Sequence, residues 1–174
     1  MMNNKQLTHE HYKHDFKKRD IIVLCDHVKS PANIGGIFRL ADAFAVSEII
    51  FHGTQIDLTS NRLKKTARNT HESIPFHESE NLVNNIESLK KQGYSILALE
   101  ITSKSIPIAL FDVANHHKIA LIIGDERNGI STEILNNYVD HTLHIPMYGR
   151  NSSCLLYTSP SPRDQRGSRM PSSA

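Results

Sequence analysis

No stretch of about 18 apolar residues occurs, and the first twenty residues, Met1 to Asp20, are polar and rich in Lys and His. Neither a membrane-spanning helix nor a secretory leader is expected from such a pattern. Cysteine is scarce as well: Cys25 and Cys154 are the only two, too few for a disulfide framework. With Cys25 inside an apolar run, a reducing cytoplasm is the expected compartment. Net charge is nearly absent. The chain has 20 Lys+Arg against 18 Asp+Glu, and the segment from Cys154 to Ala174, with three Arg and one Asp, accounts for the whole difference. Overall charge therefore says nothing about nucleic acid; only local patches can. Neither GxxxxGK[ST] nor GxGxxG is present. A nucleotide-binding oxidoreductase is disfavoured, because the first strand lacks the glycine fingerprint and the acidic ribose partner that should follow it. No internal repeat is apparent.

What is there suits one soluble α/β domain: 174 residues, 39% hydrophobic and 22% charged. Ile21 to Cys25 is a continuous apolar run, the pattern of a strand buried on both faces of a parallel sheet. Ser30-Pro31-Ala32-Asn33 ends it. Asn33 is expected to cap a helix running to about Phe44, with Ile37, Leu40, Ala41 and Phe44 on one face. Further strands are expected at Ile49 to Phe51, Ser95 to Ile101, Ile119 to Ile123 and His141 to Ile145. Helices are expected after Ser60, from about Ser79 to Gln92 and from Thr132 to Tyr138. Strands alternating with helices imply a mostly parallel, doubly wound sheet.

Three loops follow strands directly, where ligands bind in open α/β sheets. In Ser30-Pro31-Ala32-Asn33-Ile34-Gly35-Gly36-Ile37-Phe38-Arg39, each glycine costs a helix about 1 kcal/mol relative to Ala, which suggests close approach of a ligand or another backbone. Asn33 and Arg39 could reach one pocket if the first turn is irregular; the plain alternative is a helix cap and a solvated Arg. In Gly124-Asp125-Glu126-Arg127-Asn128-Gly129, Gly124 permits a sharp turn and Glu126 can accept hydrogen bonds from hydroxyls or from Arg. His144-Ile145-Pro146-Met147-Tyr148-Gly149-Arg150-Asn151-Ser152-Ser153 is a strand end followed by a polar loop.

Taken in order, these segments resemble the SpoU (TrmH-like) branch of the SPOUT superfamily of RNA methyltransferases. The resemblance covers about Ile21 to Ser153. It implies an α/β knot in which the chain after the third segment threads through a loop, S-adenosylmethionine as cofactor, a homodimer, and transfer of methyl to a ribose 2′-hydroxyl of tRNA or rRNA. By motif, it implies Asn33, Arg39, Glu126 and Ser153 as catalytic residues, and Gly124, Ile145, Met147 and Ser153, with Leu99 as a looser match, as cofactor-binding residues. A guanidinium stays protonated at working pH and is a poor base. Arg39 is therefore read as an anchor for phosphate and oxyanion, with Asn33 holding local geometry and Glu126 orienting Arg39 or the ribose; the proton acceptor is left open.

For RNA, the cations Arg62, Lys64, Lys65 and Arg68 fall on the helix after Ser60, and Lys13, Lys17, Lys18 and Arg19 lie in the N-terminal extension; such groups contact phosphates without reading sequence. Solvated charged faces are the plain alternative. His9, His11 and His14 have no Cys or acidic cluster beside them, so no metal is expected. The expected organisation is a polar extension over residues 1–20, the methyltransferase domain over 21–153, and a tail over 154–174. Where the family continues Ser-Leu-Asn-Val into an apolar helix, this chain continues Cys154-Leu155-Leu156-Tyr157. Cys154 to Asp164 resembles a translated sequencing adapter, so the tail is expected to be foreign and the knot incomplete. A non-catalytic RNA-binding module of the same fold is the competing reading, separated from an enzyme by cofactor binding and methyl incorporation.

Overall fold

The computed structural model of the chain describes residues 19–147. Seven strands form one sheet: β1 (Asp20–Asp26), β2 (Glu48–His52), β3 (Phe76–Ser79), β4 (Ser95–Leu99), β5 (Ile106–Pro107), β6 (Lys118–Ile123) and β7 (His141–His144). Their order is β3-β2-β1-β6-β4-β7-β5, and every pairing is parallel. The helices are α1 (Pro31–Ala43), α2 (Asn61–Ala67), α3 (Leu82–Lys91) and α4 (Thr132–Asn137). Segments beyond Met147, through which the knot of the resemblance would close, lie outside the described residues, as do residues 1–18. Among the described residues, no helix is long and apolar enough to cross a membrane.

Strand β1 is buried on both faces, as its unbroken apolar run implies. Ile22 and Leu24 join Ile86 and Leu89 of α3, Ile134 of α4, and Ile96 and Ile122 in one core cluster. Val23 and Cys25 point the other way, toward Ile34, Ile37, Phe38 and Ala41 of α1 and Leu63 and Ala67 of α2. Alternate residues of one strand thus feed two cores. Burial pushes the Cys25 thiol well above its usual range, so it packs as a small apolar group.

The expected boundaries need several corrections. Asn33 is not the cap of α1: Ser30 holds that position, Pro31 opens the helix with its φ already suited to a first turn, and Asn33 lies inside it. Nor do Leu40 and Phe44 share the buried face, being 46% and 71% exposed. The buried arc runs instead through Ile34, Ile37, Phe38 and Ala41, with Phe38 packed against Phe51 and Phe76. Helix α3 begins at Leu82 rather than Ser79, because the Asn81 side chain accepts from Asn84 N–H and caps it, while Ser79 ends β3. Strand β4 stops at Leu99 and β7 at His144. The two strands at the sheet edges, β3 and β5, were not expected.

Glycine 35 takes the second of the two alternatives left open, approach of another backbone. A Cβ there would stand 2.1 Å from Thr66 Oγ1 and 2.5 Å from the Leu63 carbonyl oxygen, so α1 and α2 touch through the bare Cα.

Candidate active site

In the sheet order, β1 has β2 on one side and β6 on the other, so the chain leaves the carboxyl ends of β1 and β6 in different directions. A crevice opens at such a switch point. It is a cleft of about 520 Å³ lined by Lys29, Ser30 and Asn33 after β1 and by Asp125, Glu126, Arg127 and Asn128 after β6. The first two sequence segments therefore meet. Their link is direct: the Asn33 side-chain amide donates to Glu126 Oε1.

The loop after β6 is built to hold Glu126 in place. The Asp125 carboxylate accepts from Arg127 N–H at 3.0 Å, and from Asn128 N–H and the Asn128 side-chain amide at 2.9 Å each. The backbone N–H of Asn128 is the first cause holding the Asp125 carboxyl below its usual range. The loop then closes on itself, with Gly129 N–H donating to the Asp125 carbonyl at 2.9 Å and Gly129 at φ +65°. A Cβ on Gly124 would lie 2.3 Å from the Gly129 carbonyl carbon, so Gly124 is required by the loop's own return. Glu100, just past β4, accepts from Ile130 N–H at 3.2 Å and ties this loop to the neighbouring strand. Sequence reasoning missed Glu100; an acidic residue inside an otherwise apolar expected strand was the available signal.

Leu99, Gly124 and Ile145 lie at or just past the carboxyl ends of β4, β6 and β7, with Met147 two residues beyond Ile145. Leu99 is in register with Leu143 and Ala98 with Ile122, so the three chains emerge side by side, about 4.8 Å apart. Ile145 and Ile101, which follow the ends of β7 and β4, are 42% and 43% exposed. Ser153 lies outside the described residues.

Arg39 is placed elsewhere. Helix α1 is regular from Pro31, so Arg39 stands about 9 Å along the axis from Asn33 and about 120° around it. It is exposed and not among the residues lining the cleft. Of the two partners expected for Glu126, Arg39 makes no hydrogen bond or ion pair with it among the described residues; Glu126 accepts from Asn33. Arg62, Lys64, Lys65 and Arg68 are all exposed, opposite the Leu63 and Ala67 side that packs on α1. Arg68 caps α2 in the left-handed conformation, φ 51°. Of the N-terminal cations only Arg19 is described, and its Nε has no partner among the described residues; Lys13, Lys17 and Lys18 fall outside them, as do His9, His11 and His14.

A sequence model of the SpoU rRNA methylase family matches residues 20–155. The chain belongs to the SpoU rRNA methylase family. Similar SpoU relatives include the tRNA (guanosine(18)-2′-O)-methyltransferase of Aquifex aeolicus, 24% identical over 87% of this chain and 74% of the relative. The 23S rRNA (guanosine(2553)-2′-O)-methyltransferase RlmP of Bacillus subtilis is 25% identical over 76% of this chain and 51% of its own length. Among solved structures, the AdoMet-bound rRNA methyltransferase of Sinorhizobium meliloti superposes with a TM-score of 0.69 at 26% identity, over 79% of this chain and 51% of the other. Coverage of the relatives is uneven: the chain spans 34% of the length of one and 74% of another.

The Asn33–Glu126 contact gives a measurable expectation. A hydrogen bond to a carboxylate contributes about 1.5–3 kcal/mol. A double-mutant cycle of Asn33→Ala and Glu126→Ala, read by chemical denaturation, should return a coupling of about 1.5 kcal/mol, the low end of that range because the pair is only partly buried. Additive losses would mean the two loops are not joined there.

Proposed function

We propose that this chain is an S-adenosylmethionine-dependent RNA methyltransferase acting on a ribose 2′-hydroxyl of tRNA or rRNA, working as a cytoplasmic homodimer. The observation that carries the reading is the join of Asn33 to Glu126 at the switch-point cleft. Membership of a family with relatives named as RNA 2′-O-methyltransferases supports it.

The donor set suits the cofactor's mixed character. Ile145 and Ile101 leave apolar surface for an adenine, beside a loop rich in backbone and carboxylate hydrogen-bonding groups. Leu99, Gly124, Ile145 and Met147 would hold it, with Ser153 closing the site. S-adenosylmethionine supplies a methyl already activated on a sulfonium, so alignment of the acceptor oxygen is the protein's main contribution.

Asn33 fixes the Glu126 carboxylate, which has lone pairs beyond the one that Asn33 occupies and can accept from a ribose hydroxyl, setting its direction. The cleft holds Lys29 and Arg127 against Asp125 and Glu126; these formal charges cancel. Attraction for the RNA backbone must come from outside it, from Arg39 and from Arg62, Lys64, Lys65 and Arg68. The exposed Leu40 and Phe44, both on the C-terminal side of Arg39, give a second subunit an apolar surface to cover.

Incubation with methyl-labelled S-adenosylmethionine and bulk tRNA or rRNA should place the label on ribose, read by mass spectrometry of nuclease-digested RNA. Label found only on bases, or cofactor bound with no transfer to either RNA, would overturn the assignment.

A further inference from the structure

We propose that Asp26, His27 and His52 form a binding site for a divalent transition metal of the zinc type. This site is separate from the switch-point cleft, sharing none of its lining residues, and does not depend on the methyl-transfer reading. It arises from strand register: Asp26 and His52 are direct partners at the carboxyl ends of β1 and β2, and His27 follows Asp26. Asp26 has the parity of Ile22 and Leu24, which places it on the face covered by α3 and α4.

The geometry concentrates donors on one point. Asp26 Oδ1 lies 2.7 Å from His27 Nδ1 and 2.9 Å from His52 Nδ1, and one donor atom from each residue falls within 4.8 Å of the others. The imidazoles meet edge to face, with centroids 4.6 Å apart. Asp26 is only 4% exposed, and a buried carboxylate requires partners of opposite charge or strong donors. The two imidazole nitrogens at hydrogen-bond distance serve as those partners in the ion-free protein, and a cation shared by one oxygen and two nitrogens would serve in their place.

Two backbone features serve this arrangement. His27 has φ 57°, a conformation uncommon for a side chain other than Gly, Asn or Asp, and one that clusters at functional sites. Its ring then lies over Gly53, itself at φ 64°, where a Cβ would come within 2.5 Å of His27 Nε2. Two imidazoles and a carboxylate suit zinc and its borderline neighbours rather than magnesium or calcium, which prefer oxygen. Three protein ligands with an accessible fourth position are the arrangement of a reactive rather than a closed structural zinc. That position opens on a cleft of about 330 Å³ also lined by Glu80, Ser131 and Glu133.

The test uses the full chain without an affinity tag, stripped by a chelator and titrated with Zn²⁺ alone, with elemental analysis of the product and the visible spectrum of the Co²⁺ form as a second readout. One metal per chain should bind at Asp26, His27 and His52. His52→Ala and His27→Asn should each weaken it at least about 100-fold, the upper end of what loss of even an outer-shell partner causes. Asn tolerates the left-handed backbone, so His27→Asn keeps the fold even if His52→Ala does not, and circular dichroism verifies both. Affinity unchanged in a folded His27→Asn variant, or binding that disappears instead on replacing His9, His11 and His14, overturns the proposal. So does a stripped protein that takes up no stoichiometric zinc.

Discussion

Replacing Arg39 by alanine should lower the rate of methyl transfer about 10- to 100-fold at sub-saturating RNA, the loss of a charge-assisted contact of about 1.5–3 kcal/mol to the RNA backbone, while cofactor affinity stays as it was. The split follows from position. Arg39 is exposed on α1, has no hydrogen bond or ion pair among the described residues, and stands outside the cleft that joins Asn33 to Glu126. Its guanidinium can therefore meet RNA without touching the cofactor loops. Arg39→Lys should restore little, since a point charge does not reproduce a planar two-pronged donor. Calorimetric titration with S-adenosylmethionine separates the two effects, and a parallel loss of cofactor affinity would reject Arg39 as an RNA-side anchor.

The largest effect on stability is expected at Gly35. On helix propensity alone, removing a glycine from inside α1 should stabilise by up to about 1 kcal/mol. Packing reverses the sign. A Cβ would meet Thr66 Oγ1, which can rotate away, but also the Leu63 carbonyl at 2.5 Å and the Ala67 nitrogen at 3.0 Å, which belong to the backbone of α2. Gly35→Val should therefore lose about 1–3 kcal/mol through overpacking, lowering the melting temperature by about 2–4 °C for each kcal/mol. Gly35→Ala should show the same sign with smaller size. A melting temperature at or above that of the parent would show that α1 and α2 can part without loss.

Four of the strands were legible because β1, β2, β4 and β6 carry runs of apolar residues that a sheet covered on both faces must bury; β7, His-Thr-Leu-His, has only Leu143 and was read with the help of Ile145, just past its end. The strand β3, Phe-His-Glu-Ser, has one large apolar residue and lies at an edge, where burial leaves no continuous apolar signature; β5 is two residues long. The face of α1 was misjudged because Leu40 and Phe44 are apolar by type yet point outward, while Phe38 fills the centre. Local residue type cannot say which apolar group meets the sheet. At the site, Asn33 and Glu126 were legible singly, as polar residues at strand-following loops, but their union depends on β6 pairing with β1 across a long stretch of chain. His27 and His52 went unnoticed for the same reason: only the register of β1 on β2 makes them neighbours.

The placement of β6 also dictates an order of assembly. Its partners are β1, which pairs Ile22 with Ala120, and β4, which pairs Ile96 with Ala120 from the other side. Strands β1, β2 and β3, with α1 and α2 over them, can associate as soon as they have left the ribosome. Strand β4 cannot join them, since both of its neighbours, β6 and β7, come later in the chain. Closure of the sheet waits on one strand, with a loop of nearly a hundred residues to be drawn in, the kind of non-local pairing that slows folding. Until then the inner edge of β1 is an open template for a wrong strand, and the two loops that make the cleft stay apart until that edge is filled.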